Sequence, residues 1–354
     1  MYLLTAGDDA MGAETPDLPV PLDTPADGAL ENRNHGPRPR IGLALGSGVA
    51  RGFAHIGVLR ALMRHGIEPD IIAGTSIGAV AGGAYLANEL DVLESWALSL
   101  NRGSMMSYID FSARSGGLIK GDKLLALMQR HMGSWQIEAL PKPFVAVATD
   151  MITGHEVWLR RGNMVHAMRA SLSLPAVFPP VAHDGRWLID GALVNPVPVS
   201  ACRALGAELT IAVNLNADII GKVRNAAENI PKAAGFDPLA EAAHLNWQMP
   251  EKEKRFSIGR IAKSFFGREP NHPSVFGVMV STLNIVQDRI TRSRLGGEPA
   301  DVEIRPRLGE YGLMEFDKAE DLIKLGEQAV EQVLPDLQDA LEVFGLRDRG
   351  DKAL

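Results

Sequence analysis

Gly74-Thr75-Ser76-Ile77-Gly78 has the form G-x-S-x-G. In that pattern the serine sits on a sharp bend between a strand and a helix, with its hydroxyl lifted above the sheet and the free amides of the helix beside it. The chemistry this allows is nucleophilic attack on an acyl carbonyl, provided that a base takes the hydroxyl proton. Gly74 and Gly78 fit the bend because a side chain at either place would collide with neighbouring backbone. The rival reading of the same five residues is a tight turn whose serine only caps a helix.

The usual base is histidine, and the chain order Ser, Asp, His would need one after Asp190. Only His244 and His272 stand there, both in an irregular stretch, while His155, His166 and His183 precede Asp190 and His55 reads as a packing residue of the first helix. Asp190-Gly191-Ala192 is the better candidate: it closes the apolar run at 187–189 and is followed at once by a turn glycine. A carboxylate there can accept the Ser76 proton from about 2.6–3.2 Å in a pocket dry enough to raise its basicity. Asp-Gly is also a common structural turn, so its weight comes from the combination.

The third segment is Gly46-Ser47-Gly48-Val49-Ala50-Arg51-Gly52. It follows an apolar run and opens a helix, where backbone amides bind a phosphate or a developing oxyanion. A dinucleotide site is disfavoured, because G-x-G-x-x-G would need glycine where Arg51 stands and no acidic residue closes a second strand at the expected distance. Arg51 is read either as a group that steadies the loop or attracts an anionic head group, or as a solvated helix-start arginine.

Elements able to position these residues alternate in the manner of an α/β sheet. Strands are expected at 41–45, 71–73, 144–148, 155–159, 187–189 and 209–213, and helices at 53–62 and 79–86. Residues 219–297 read as a less regular peripheral elaboration, and helical spacing returns in a C-terminal helix at about 318–345 that breaks near Pro335. Residues 1–40, rich in Pro, Gly, Asp and Asn, read as a flexible leader before a domain spanning 41–354. With 36 Lys and Arg against 43 Asp and Glu, the net charge of -7 argues against nucleic-acid binding. The lone Cys202 excludes an intrachain disulfide and a multi-cysteine metal site and fits a reducing cytoplasm. The sequence shows neither a signal peptide nor an apolar run of the roughly 20 residues a spanning helix needs.

In this order the three motifs resemble those of the patatin-like phospholipases. The likeness extends through residues 45–59, Arg169-Ala-Ser-Leu-Ser-Leu-Pro175, Pro180-Val-Ala-His183 and Asp190-Gly-Ala-Leu-Val-Asn-Pro-Val-Pro198. It is nearest to the bacterial RssA-like branch related to neuropathy target esterase. The resemblance implies a three-layer α/β/α fold with a central, mostly parallel sheet and a nucleophile elbow. It also implies a Ser/Asp dyad that cleaves acyl esters of phospholipids or related lipids without metal or cofactor. By matching positions, Ser76 is the nucleophile, Asp190 the base, Gly48 and Val49 the donors of the oxyanion hole, and Arg51 and Gly52 the residues that fix the loop. Where the family commonly has three glycines, this chain reads Ser47-Gly48-Val49.

Residues 105–111 offer flexible apolar side chains suited to an acyl chain, or a loop that covers the core. Residues 255–268 place Ile258, Ile261, Ala262 and Phe265 on one helical face, which suits either peripheral contact with the inner membrane surface or packing on the domain itself. Two alternatives to a lipid hydrolase stay open: a Ser-His-Asp esterase for small soluble esters, and a regulatory or scaffold protein that keeps the fold without the chemistry.

Overall fold

The computed structural model of the chain describes residues 39–100, 122–175, 177–218 and 275–343. Among these, the strands are β1 (Ile41–Leu45), β2 (Ile71–Thr75), β3 (Phe144–Asp150), β4 (Glu156–Leu159), β5 (Val181–His183), β6 (Arg186–Asp190), β7 (Leu209–Val213) and β8 (Val302–Ile304). The helices are α1 (Ala54–Arg64), α2 (Ile77–Leu86), α3 (Leu90–Ser99), α4 (Asp122–Met132), α5 (Met164–Ser171), α6 (Val199–Ala204), α7 (Val275–Gly297) and α8 (Ala319–Val343). A 3-10 turn at Val49–Phe53 leads into α1.

All eight strands form one sheet, hydrogen-bonded in the order β5-β6-β3-β2-β1-β7-β8, with β4 also on β3. The centre is parallel, and β1, β2, β3 and β7 are buried along their whole length. Apolar side chains therefore face both ways, as expected of a sheet covered on both sides. Leu43, Leu45, Ile72, Ala146 and Ile211 face a large core shared with α1, α2, α3 and α8. Their neighbours Ala44, Ala73, Val145, Val147 and Ala212 face a smaller core under α6. The small residues on that second face let α6 approach closely: a Cβ on Gly42 would stand 2.8 Å from the Cβ of Cys202. The result is a three-layer α/β/α fold.

Several expected elements are shorter than those observed, and two differ in kind. Residues 275–297 are a regular 23-residue helix rather than an irregular elaboration. Its polar residues point inward, which hides the helical period from an apolar count. The C-terminal helix does not break at Pro335; α8 runs through it from Ala319 to Val343. Proline forfeits one backbone bond, to the carbonyl of Glu331, and both residues lie on the exposed side, where water replaces the lost donor. The helices α3 to α6 were not among the expected elements, nor were the short strands β5 and β8, whose three residues carry no readable alternation. The leader at 1–38 and the segments at 105–111 and 255–268 lie outside the described residues.

Helices α1 and α8 cross at glycines. A Cβ on Gly57 would run into the carbonyl of Ile323, and one on Gly326 into the carbonyl of Ala54. In an isolated helix Gly326→Ala would add about 1 kcal/mol of stability. Here it should destabilise by roughly 1–3 kcal/mol through overpacking, seen as a lower urea midpoint; a higher midpoint would mean the helices do not meet at this point.

Candidate active site

Strand register assembles the site. β1 and β2 are parallel with Leu45 opposite Gly74, so the glycine loop leaving β1 and the bend leaving β2 start side by side. β3 does the rest. Its Val147 is paired with Thr75 of β2 and its Ala148 with Asp190 of β6, while β4 occupies the opposite edge along both residues. β2 and β6 therefore share one edge of β3 in tandem, approach from opposite directions, and end against each other at Ser76 and Asp190.

Ser76 Oγ donates a hydrogen bond of 2.6 Å to Asp190 Oδ2 across 114 residues of sequence. The other carboxylate oxygen, Oδ1, accepts from the Ala192 amide at 2.8 Å. Ser76 holds φ 57 and ψ -124, a backbone conformation that non-glycine residues rarely adopt. It persists because its surroundings over-determine it. The Ser76 amide donates to Ser171 Oγ at 2.8 Å, and Ser171 Oγ in turn donates to the Val147 carbonyl at 2.5 Å. Thr75 Oγ1 donates to the Asn195 carbonyl. A Cβ on Gly74 would stand 2.5 Å from Ala79 N, and one on Gly78 would strike the Leu45 carbonyl, so both positions exclude side chains.

Asp190 is held as firmly. Its amide donates to Ser173 O and its carbonyl accepts from Thr149 Oγ1. Gly191 is required next to it, because a Cβ there would strike the Val147 carbonyl. Ser76 is 3% exposed and Asp190 1%. Burial pushes the Asp190 carboxyl up to about 7, against the opposing pull of the Ser76 hydroxyl and the Ala192 amide.

In the glycine loop the amides of Gly46, Ser47, Ala50 and Arg51 are taken by Val213, Pro196, Leu313 and Gly48 carbonyls. Those of Gly48 and Val49 have no partner among the described residues. Val49 has φ 52, an outlier for a β-branched residue, and its side chain packs beside Leu174, Val177, Leu313 and Met314. Gly52 has no room for a Cβ because Ile77 of the bend lies against it. Arg51 is buried rather than solvated: Nε donates to the Tyr311 carbonyl at 2.8 Å, and Nη1 has no hydrogen-bond partner. Desolvation lowers its pKa to about 10, with Glu315 pulling the other way.

No described histidine hydrogen-bonds to Ser76 or Asp190. His55 is buried with its pKa pushed down to about 4 by desolvation, and its Nε2 lies 2.7 Å from the Gly46 carbonyl, so it is a neutral brace for the loop. His166 Nε2 and His183 Nδ1 meet each other at 3.2 Å. His244 and His272 lie outside the described residues. Sequence reading missed Ser171, Ser173 and Thr149 as supports of the Ser76–Asp190 contact, and Gln287 of α7, whose Oε1 accepts from Ser47 Oγ at 3.3 Å. For the first two a signal existed, since both lie in the Arg169–Pro175 motif without a role assigned to their hydroxyls.

A model of the patatin-like phospholipase family matches residues 43–203. An NTE family protein of Mycobacterium tuberculosis is 35% identical over 357 residues, spanning 92% of this chain and 97% of that protein. The chain belongs to the NTE family of patatin-like phospholipases. Lysophospholipase NTE1 of Pyricularia oryzae is 27% identical over 305 residues, 84% of this chain and 19% of its own length. VipD from Legionella pneumophila aligns with a TM-score of 0.33 and 13% identity over 87% of this chain and 79% of that one, too weak a likeness to argue from.

A buried carboxyl with a raised pKa is most favourable while protonated. Its contribution to stability is complete below the unfolded value near 4 and is lost as pH rises to about 7, a change of roughly 4 kcal/mol if undamped. Asp190→Asn keeps the shape without the charge. At pH 8 it should melt several degrees above the wild type, and the gap should close below pH 4; equal melting at pH 8 would mean Asp190 is not desolvated.

Proposed function

We propose that the chain is a serine acyl hydrolase that cleaves fatty acyl esters of lipids through Ser76 and Asp190. Membership of a phospholipase family supports lipid hydrolysis in general. The single observation that carries the finer reading is the 2.6 Å hydrogen bond from Ser76 Oγ to Asp190 Oδ2.

Asp190 takes the hydroxyl proton as Ser76 Oγ attacks the ester carbonyl, forming the tetrahedral intermediate. The Gly48 and Val49 amides receive the oxyanion, with the α2 N-terminus adding favourable field. Collapse expels the alcohol, a lysolipid or head-group fragment, with the proton returned from Asp190, and leaves the fatty acyl group on Ser76. Water then repeats the cycle: Asp190 takes its proton, and the fatty acid leaves as Ser76 Oγ is reprotonated. None of these steps calls for a cofactor. A carboxyl that titrates near 7 is a stronger base than an ordinary aspartate, and it is already hydrogen-bonded to the proton it removes. We place this activity in the cytoplasm, at the inner membrane surface.

Fluorophosphonate labelling should modify Ser76 and vanish in Ser76→Ala. Asp190→Asn should lower kcat on a fatty acyl ester by about 10²–10⁴-fold, whereas His244→Ala and His272→Ala should leave it within a few-fold. Collapse in a histidine variant with full activity in Asp190→Asn would overturn the dyad in favour of a Ser-His-Asp esterase. The wild-type rate should rise with pH through about 7, because only the ionised carboxylate accepts the proton. A rate that is flat from pH 5 to 9 would exclude Asp190 as the base.

A further inference from the structure

Helix α7 is built inside out. Its buried ridge is Asn284, Gln287, Asp288 and Thr291, four polar residues at i, i+3, i+4 and i+7. Its outer ridge starts with Val278, Ile285 and Val286, which are 49%, 53% and 38% exposed, and continues through exposed Arg289 and Arg292. At 3.6 residues per turn Val278, Ile285, Arg289 and Arg292 fall within about 60° of one another. Asp288, the single acidic residue of the helix, is buried and meets Arg292 Nε at 2.8 Å, so no carboxylate is exposed on the outer ridge.

The inward polarity follows from what the helix touches. Gln287 meets Ser47 in the glycine loop, and Arg294 Nη2 meets Glu156 Oε2 of β4 at 2.6 Å. Those contacts, with Met279 and Leu283 packed against the cluster of Leu174, Val177, Leu313 and Met314, orient the helix and leave Val278, Ile285 and Val286 in solvent. A free surface has no use for that arrangement, and exposed large apolar side chains on one ridge mark a site of contact.

We propose that the outer face of α7 is a docking surface for an anionic phospholipid bilayer. Aliphatic side chains followed by arginines, with no exposed acid, are the pattern of a helix resting at the boundary between acyl chains and negative head groups. Among the described residues no helix is long and apolar enough to cross a membrane. The choice of a bilayer over other partners rests on the lipid-hydrolase reading; α7 would lie between that bilayer and the glycine loop, which Gln287 meets from the opposite face of the helix.

The test uses the full chain in flotation assays with vesicles of phosphatidylcholine and 30 mol% phosphatidylglycerol, and with vesicles of phosphatidylcholine alone. Hydrolysis of p-nitrophenyl butyrate, a soluble ester, is measured in parallel. The wild type should float with the anionic vesicles. Ile285→Asp should weaken this about tenfold or more, and Arg289→Glu should weaken it on anionic vesicles only, both with soluble-ester hydrolysis and the circular dichroism spectrum unchanged. Unaltered flotation of both variants overturns the proposal. So does an Ile285→Asp variant that splits a lipid-free dimer while still floating, which would assign the face to a second copy. So too does one that loses melting temperature while still floating, which would assign it to another segment of this chain. Flotation that depends on Ile285 in a protein without esterase activity would retain the docking surface and discard the hydrolase reading.

Discussion

The contact between Ser76 and Asp190 exists because two strands end head to head on one edge of β3. A slip of one residue in either pairing would turn every side chain of that strand to the opposite face and carry Ser76 or Asp190 away from the other. The sheet resists such a slip because it is buried on both faces, with leucine and isoleucine on one side and alanine and valine on the other. The same register sets the glycine loop beside the bend. Gly52, Gly78 and Gly191 are then forced, since each lies where a strand end, a helix start and a neighbouring backbone crowd together.

Unfavourable groups accumulate at this one place. Ser76 and Val49 hold left-handed φ values, Asp190 is a desolvated carboxyl, and Arg51 is a buried cation with one nitrogen unpartnered. Strained residues of this kind cost about 1–3 kcal/mol each. The doubly covered sheet and the close crossing of α1 on α8 offset them, and they lie where a poised hydroxyl and free amides are useful. The raised Asp190 pKa belongs to the same exchange, because the dryness that makes its charge unfavourable also makes it a better base.

Support for the Ser76–Asp190 contact comes from hydroxyls more than from charges. Ser171 links the Ser76 amide to the Val147 carbonyl, Thr149 holds the Asp190 carbonyl, and Ser47 reaches across to Gln287 on α7. Each bond joins elements distant in sequence, so the site behaves as a crossing point of the sheet rather than as an appendage of one loop. Helix α7 closes one side of it with polar residues, which leaves Val278, Ile285 and Val286 facing out.

The strand-bend-helix signals around Ile41–Leu45 and Ile71–Thr75 were legible in the residues themselves, because glycine spacing and doubly buried apolar runs are local properties. Ser76 and Asp190 could be singled out as candidates for the same reason, as motifs at strand ends, whereas Gly48 and Val49 were named only through the resemblance to the family. Sequence reading did not anticipate α7, the continuity of α8 through Pro335, or the bracing by Ser171 and Thr149. Those depend on partners up to 240 residues away, and on whether a carbonyl freed by proline meets water or core. Local sequence names the groups capable of chemistry, whereas hydrogen-bond distance, burial and a carboxyl displaced toward neutrality arise only when remote strands share one edge and exclude water from the space between them.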